Sequence, residues 1–210
     1  MLPISGVVLG PSASAQWRDA PEHLAMVLAR YRAASALIGS SRSVAEFGCG
    51  EGIGARILAS GRERYTGFDR DADALDYARW AVTAPTVAFH ETDVLELGTD
   101  AVRDVYDAIV ALDVIEHLSE SDGRRLVAIA RGLLRSNGVL VIGTPSRRFD
   151  HLASAQSRAA HVRTYLPAEL DALLFDHFRL VQSFGMQDTG LHLGHPDARH
   201  YLLGVGVIPR

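Results

Sequence analysis

Asp113, Glu116 and His117 are the side chains whose types and spacing could do chemistry. They follow Tyr106–Leu112, whose apolar stretch Ala108–Leu112 reads as a strand. A helical turn after it would put Glu116 at i+3 and His117 at i+4 on the face of Asp113. Two carboxylates and one imidazole would then converge. An imidazole, with an ordinary pKa of about 6.5, can take up a proton near neutral pH, so His117 is the natural general base of the group. In open α/β sheets such groups belong beyond the C-terminal ends of the strands, where ligands bind.

A second constellation lies upstream. Val44-Ala45-Glu46-Phe47-Gly48-Cys49-Gly50-Glu51-Gly52-Ile53-Gly54 reads as a strand entering a glycine turn and then a helix, with Asp69 ending the next apolar run, Tyr65–Phe68. Glycines 48, 50 and 52 let backbone approach a ligand and permit positive φ, and an acid at Asp69 can accept both ribose hydroxyls of a nucleoside. By itself this signal does not choose the cofactor. The strict dinucleotide pattern G-x-G-x-x-G fails at Ile53, although a looser form can be read from Gly50, Gly52 and Ala55.

The elements that must position these residues alternate between strand and helix signals, which implies a parallel sheet with helices on both faces. Helices are expected over Pro21–Ile38, Asp71–Val82, Ser121–Leu134 and from Pro167 through Leu174, with strands at Phe178–Phe184 and Tyr201–Ile208. Residues 1–19, rich in Pro, Gly, Ser and Ala, read as a mobile arm, and residues 20–210 as one domain. The Pro21–Ile38 helix could cap the ligand site or simply pack on the sheet. Gly185–Pro196 reads as a loop that could rim the site, and its histidines, with His200, fit no common metal motif. Arg147 and Arg148 could meet a phosphate or carboxylate on the acceptor, although solvated arginines at a strand end are the more frequent case.

With 210 residues and 48% hydrophobic content, the chain can bury about 70% of its unfolded surface in one core. The one cysteine, Cys49, excludes a disulfide framework and reads as a small packing residue in the turn. A net charge of −4 argues against a broad electrostatic grip on nucleic acid, although all 21 basic residues are arginine. No apolar run approaches the roughly 20 residues of a membrane span, so a cytoplasmic protein without membrane insertion is expected. Oligomeric state has no signature.

The pattern Glu46-x-Gly48-x-Gly50-x-Gly52 resembles the first motif of class I S-adenosylmethionine-dependent methyltransferases. Further family features follow in order. Phe89–Val94 resembles the third strand with the acid beside the adenine. Tyr106–Asp113 resembles the fourth strand, and Leu133–Pro145 the last helix, Gly turn, fifth strand and Thr-Pro signature. The resemblance runs from about residue 20 to the C-terminus. It implies a Rossmann-like sheet of seven mostly parallel strands, the last one antiparallel and inserted beside its predecessor. It also implies S-adenosylmethionine as cofactor, with Glu46, Gly48, Cys49, Gly50, Gly52, Asp69, Arg70, Asp93, Val94, Leu112 and Asp113 as the binding residues.

Methyl transfer is an in-line displacement from a sulfonium, so the protein chiefly aligns the acceptor and manages its proton. In many members with the same Glu-His pair the residues line the pocket without a metal, and the histidine acts as base. In the small-RNA 3′-terminal ribose methyltransferases, and similarly in ubiquinone-biosynthesis O-methyltransferases, a related acid-x-x-Glu-His segment binds a divalent cation. The RNA enzymes take a further histidine from a later segment. His161 stands in the matching place, so Asp113, Glu116, His117 and His161 could hold Mg²⁺ or Mn²⁺. Asp113 departs from the glutamate usual in the RNA enzymes. The expected function is O-methylation of a hydroxyl on a sugar, glycan or other small molecule, with His117, Glu116 and Asp113 as catalytic residues. The alternatives are a metal-dependent RNA ribose methyltransferase, an NAD-dependent oxidoreductase and a non-catalytic cofactor-binding subunit.

Overall fold

The computed structural model describes residues 9–98, 105–193 and 200–209. Its strands are β1 (Ser43–Phe47), β2 (Arg64–Asp69), β3 (Val87–Glu91), β4 (Tyr106–Leu112), β5 (Leu134–Pro145), β6 (Phe178–Gln187), β7 (Gly190–Leu193) and β8 (Tyr201–Pro209). They form a single sheet in the order β3-β2-β1-β4-β5-β8-β6-β7. Strands β1 to β5 pair in parallel, and β8 lies antiparallel between β5 and β6. The order reverses between β1 and β4, which opens a crevice at the C-terminal ends of those strands.

The helices are α1 (Pro11–Asp19), α2 (Pro21–Leu37), α3 (Ala55–Leu58), α4 (Ala72–Ala81), α5 (Glu120–Leu133), α6 (Ala155–Ala160) and α7 (Pro167–Phe175). The central strands are apolar on both faces, as a doubly covered parallel sheet requires. Successive residues of β4 go to opposite sides. Ile109 and Ala111 pack with Leu126, Ile129 and Leu133 of α5 and Leu170 of α7. Ala108, Val110 and Leu112 pack with Tyr31, Ala34 and Leu58 of α2 and α3. Caps fix the helix starts: Asp71 accepts from Ala74 N at 3.0 Å, and Ser119 from Asp122 N at 3.1 Å.

Three expectations need correction. There are eight strands, not seven, and two of them, β7 and β8, run against the rest. The extra strand comes from Gly185–Leu193, expected as loop, where Asp188 at φ 52° lets a two-residue turn close the β6–β7 hairpin. Residues 194–196 of that expected loop lie outside the described residues. The structure also places α1 within the stretch read as an arm, with Pro11 at its first turn and Ala13 buried, while residues 1–8 lie outside the described residues. Among the described residues, no helix is long and apolar enough to cross a membrane.

Candidate active site

The chain leaves β1 through Gly48, Gly50 and Gly52, all at positive φ (75°, 47° and 74°). A side chain at Gly48 would collide with Val114, and a Cβ at Gly52 would press against Ala78 of α4 at 3.0 Å. Gly50 differs. A Cβ there would meet nothing within 4 Å, so its backbone borders open space where a ligand can approach. Phe68 O accepts from Gly48 N at 2.8 Å and Cys49 N at 3.1 Å. Asp69 ties down the rest, its carboxylate accepting from Gly50 N at 2.7 Å and Asp71 N at 3.0 Å.

Beneath the turn, Glu46 is fully buried and accepts a hydrogen bond from the Tyr65 hydroxyl. Burial raises its pKa to about 7, against the lowering effect of the tyrosine hydroxyls. Burial likewise pushes the Cys49 thiol up, keeping it protonated and unsuited to nucleophilic work.

A cleft of about 1100 Å³ opens above the turn. Of the expected residues, Gly48, Cys49, Gly50, Leu112, Asp113, Glu116, His117 and His161 border it. Glu46, Gly52, Asp69, Arg70, Asp93 and Val94 lie outside that lining; Asp93 instead caps a short 3₁₀ turn by accepting from Leu95 N at 2.9 Å. Helix α2 packs on the sheet and also borders the cleft. It buries Leu24, Tyr31 and Ala34, and it lines the cleft with His23, Met26 and Arg30. Helix α1 is tied over the mouth by Glu51, whose carboxylate accepts from Ser12 N at 2.7 Å and Ala13 N at 3.2 Å.

The expected face of Asp113, Glu116 and His117 does not form as drawn. Asp113 has φ 56°, in the left-handed region that aspartate tolerates, and the turn Ile115–His117 is 3₁₀ rather than α. Asp113 therefore leaves the group. Its carboxylate accepts from Arg30 Nη1 at 3.0 and 3.2 Å, and the Arg30 guanidinium lies 4.0 Å over the Tyr201 ring. Asp113 beside it, and Tyr201, raise the Arg30 pKa against burial, which lowers it most strongly.

Glu116, His117 and His161 do come together, with one potential ligand atom from each within 4.8 Å of the others. The sequence separates them by 44 residues, and backbone hydrogen bonds close the distance. Glu116 O accepts from Val162 N at 2.8 Å and Arg163 N at 3.0 Å, stapling the segment that carries His161 to the 3₁₀ turn. His117 Nδ1 lies 3.0 Å from Ala160 O. A carbonyl can only accept, so Nδ1 donates in this contact and Nε2 is the ring nitrogen left for other partners. The two imidazole rings stand edge to face with centroids 5.3 Å apart. Glu116, 1% exposed, accepts from Thr144 Oγ1 at 3.1 Å. Burial, then the charge of Asp113, pushes its carboxyl upward. Burial, then His117, lowers His161 toward its neutral form.

One carboxylate and two imidazoles share a cleft with a glycine turn at the switch point of the sheet, the place where open α/β folds bind their ligands. Residues 17–185 match the family described as Methyltransferase domain. Probable S-adenosylmethionine-dependent methyltransferases of Mycolicibacterium smegmatis and Mycobacterium tuberculosis are 33% and 34% identical over 77% of this chain. The chain spans 61% and 57% of their lengths. A ubiquinone biosynthesis O-methyltransferase of Actinobacillus pleuropneumoniae is 27% identical over 60% of the chain and 55% of its own. Among solved structures, N-methyltransferase NodS from Bradyrhizobium japonicum with S-adenosyl-L-homocysteine aligns over 95% of this chain and 97% of its own, with a TM-score of 0.65 and 20% identity, a likeness of fold. The chain belongs to the class I S-adenosylmethionine-dependent methyltransferase family.

Proposed function

We propose that this domain transfers the methyl group of S-adenosylmethionine to a hydroxyl of a sugar, glycan or other small molecule. The observation that carries the proposal is the single cleft shared by the glycine turn and the Glu116–His117–His161 cluster. S-adenosylmethionine supplies the methyl group on a positively charged sulfur. Gly50 lets the main chain approach the bound nucleoside, Asp69 holds that main chain, and Arg30, paired with Asp113 and largely shielded from water, fixes the α2 side of the cleft. On the acceptor side, His117 has its Nδ1 proton committed to Ala160 O, so Nε2 can take the proton of an alcohol as its oxygen attacks in line.

Glu116, His117 and His161 also suit a divalent cation such as Mn²⁺ or Mg²⁺, whose presence would favour the alkoxide form of the acceptor. The convergence of three donors favours this second reading. Asp113, committed to Arg30, stands outside the ligand group. Calorimetry with S-adenosylhomocysteine and, separately, with NAD tests the cofactor. Tight S-adenosylhomocysteine binding without NAD binding is expected, and the reverse would replace the methyltransferase reading with an oxidoreductase. Transfer of radiolabelled methyl to a panel of hydroxylated acceptors, with and without chelator, then separates the metal-free from the metal-assisted reaction.

A further inference from the structure

We infer that the end of the cleft beyond His161 is a subsite for an uncharged, flat, hydroxylated ring, with the Ser146 hydroxyl as its polar anchor and Phe149 as its apolar wall. The inference rests on the methyl-transfer reading above and names the acceptor class for it.

Ser146 follows the Thr144-Pro145 end of β5, borders the cleft and is 1% exposed. Its backbone is fully engaged: the amide donates to His200 O at 2.9 Å, and the carbonyl accepts from Phe149 N at 2.9 Å. Its hydroxyl has no hydrogen-bond partner among the described residues. A hydroxyl removed from water and left unpaired is costly, and one beside a ligand cleft is explained when the ligand completes the bond.

The turn that Ser146 begins sets Phe149 beside it. The Phe149 ring meets His200 edge to face at 4.6 Å and lies near-parallel to His151 at 6.2 Å. Leu152 and Ala153 extend this apolar end. Together they offer a flat ring a matching surface.

Charge narrows the class. Among the described residues, the one arginine bordering the cleft is Arg30, which is held by Asp113 and lies over the Tyr201 ring. Arg147, next in sequence to Ser146, does not border the cleft and donates to Glu169 at 2.8 Å. Asp150 is the acid at this end, accepting from Thr164 Oγ1 at 2.7 Å. A phosphate or sulfate entering here would lose hydration and would have to compete with Asp113 for the cleft's arginine, whereas a neutral phenol or related ring would lose little.

The test uses two fluorescent probes of one shape, 2-naphthol and 2-naphthyl phosphate, titrated into the full chain saturated with S-adenosylhomocysteine. Naphthol is expected to bind at least tenfold more tightly than its phosphate. Ser146→Ala should weaken naphthol binding about fivefold, the cost of one neutral hydrogen bond. Phe149→Ala should weaken it by roughly as much. Both variants should keep their S-adenosylhomocysteine affinity, and Ser146→Ala should melt at or above the wild-type temperature, because it deletes an unpaired buried hydroxyl. A structural serine would instead lower the melting temperature. Equal or tighter binding of the phosphate, no naphthol binding at millimolar concentration, or unchanged naphthol affinity in both variants would overturn the subsite. Failure to bind S-adenosylhomocysteine would remove the methyl-transfer reading, and the subsite with it.

Discussion

Glu46→Gln should stabilise this fold, and by an amount that grows with pH. The wild-type carboxyl is fully buried, and its pKa stands at about 7 against an ordinary 4.5. Between those two values the folded chain keeps a proton that the unfolded chain has released, so stability falls as pH rises through the window and levels off above it. At about 1.36 kcal/mol per pKa unit, the accumulated penalty is on the order of 1 kcal/mol at pH 5 and about 3 kcal/mol at pH 8. Glutamine keeps an acceptor for the Tyr65 hydroxyl and carries no charge, so the variant escapes the penalty. Any pH-independent cost of the new amide cancels in the comparison, leaving a gap between variant and wild type that widens by about 2 kcal/mol from pH 5 to pH 8. For a chain of this size that is roughly 4–8 °C in melting temperature. Thermal and urea unfolding followed by circular dichroism at both pH values read it directly. A gap that stays constant with pH would mean that Glu46 ionises normally in the fold, and that burial beneath the glycine turn does not hold its proton.

Asp69→Ala should weaken S-adenosylmethionine binding by about 2 kcal/mol, measured by calorimetry, through release of the Gly50 and Asp71 amides that its carboxylate holds; unchanged affinity would show that Asp69 does not support the glycine turn as a binding surface. Arg30→Met breaks the contacts to Asp113 and the Tyr201 ring and should lower unfolding stability by about 2 kcal/mol, while the double variant with Asp113→Asn should lose less than the sum of the two single changes. His117→Ala should lower methyl transfer by about 10²–10⁴ with S-adenosylhomocysteine affinity unchanged; loss of cofactor binding in step with activity would assign His117 to the cofactor. Titration of Mn²⁺ followed by electron paramagnetic resonance should show one site that His161→Ala and Glu116→Ala each abolish and Asp113→Asn preserves.

The sheet and its helices were legible because their signals are local and repeated. The α5 stripe Leu126, Ile129, Ala130 and Leu133 has one helical period, and β4 carries the apolar run Ala108–Leu112 bounded by Asp107 and Asp113. β7 escaped because its turn is Asp188-Thr189, which lacks the glycine that usually marks a two-residue hairpin. Helix α1 escaped because its composition reads as linker, and much of its support is a long-range contact from Glu51 to its first amides. Arg30 and Ser146 carry no motif. Each matters through what the tertiary fold brings to it, an acid 83 residues away in one case and an unshared hydroxyl at a strand end in the other.

Asp113 marks the limit of spacing arguments at a strand end. Counting i+3 and i+4 assumes α-helical backbone from the first residue, and that assumption fails where a chain must turn sharply out of a parallel strand. The turn is made at Asp113, in a left-handed conformation that few side chains accept, while its amide still donates to Gly143 O at 3.0 Å. That geometry sends the carboxylate toward α2, where Arg30 receives it, and leaves Glu116 and His117 to find their third partner in His161. One backbone angle thus divides four candidate ligands into two groups. The first, Arg30 with Asp113, ties the capping helix to the sheet. The second, Glu116 with the two histidines, borders the same cleft, so the two groups share one cavity while only the second brings three potential ligand atoms together.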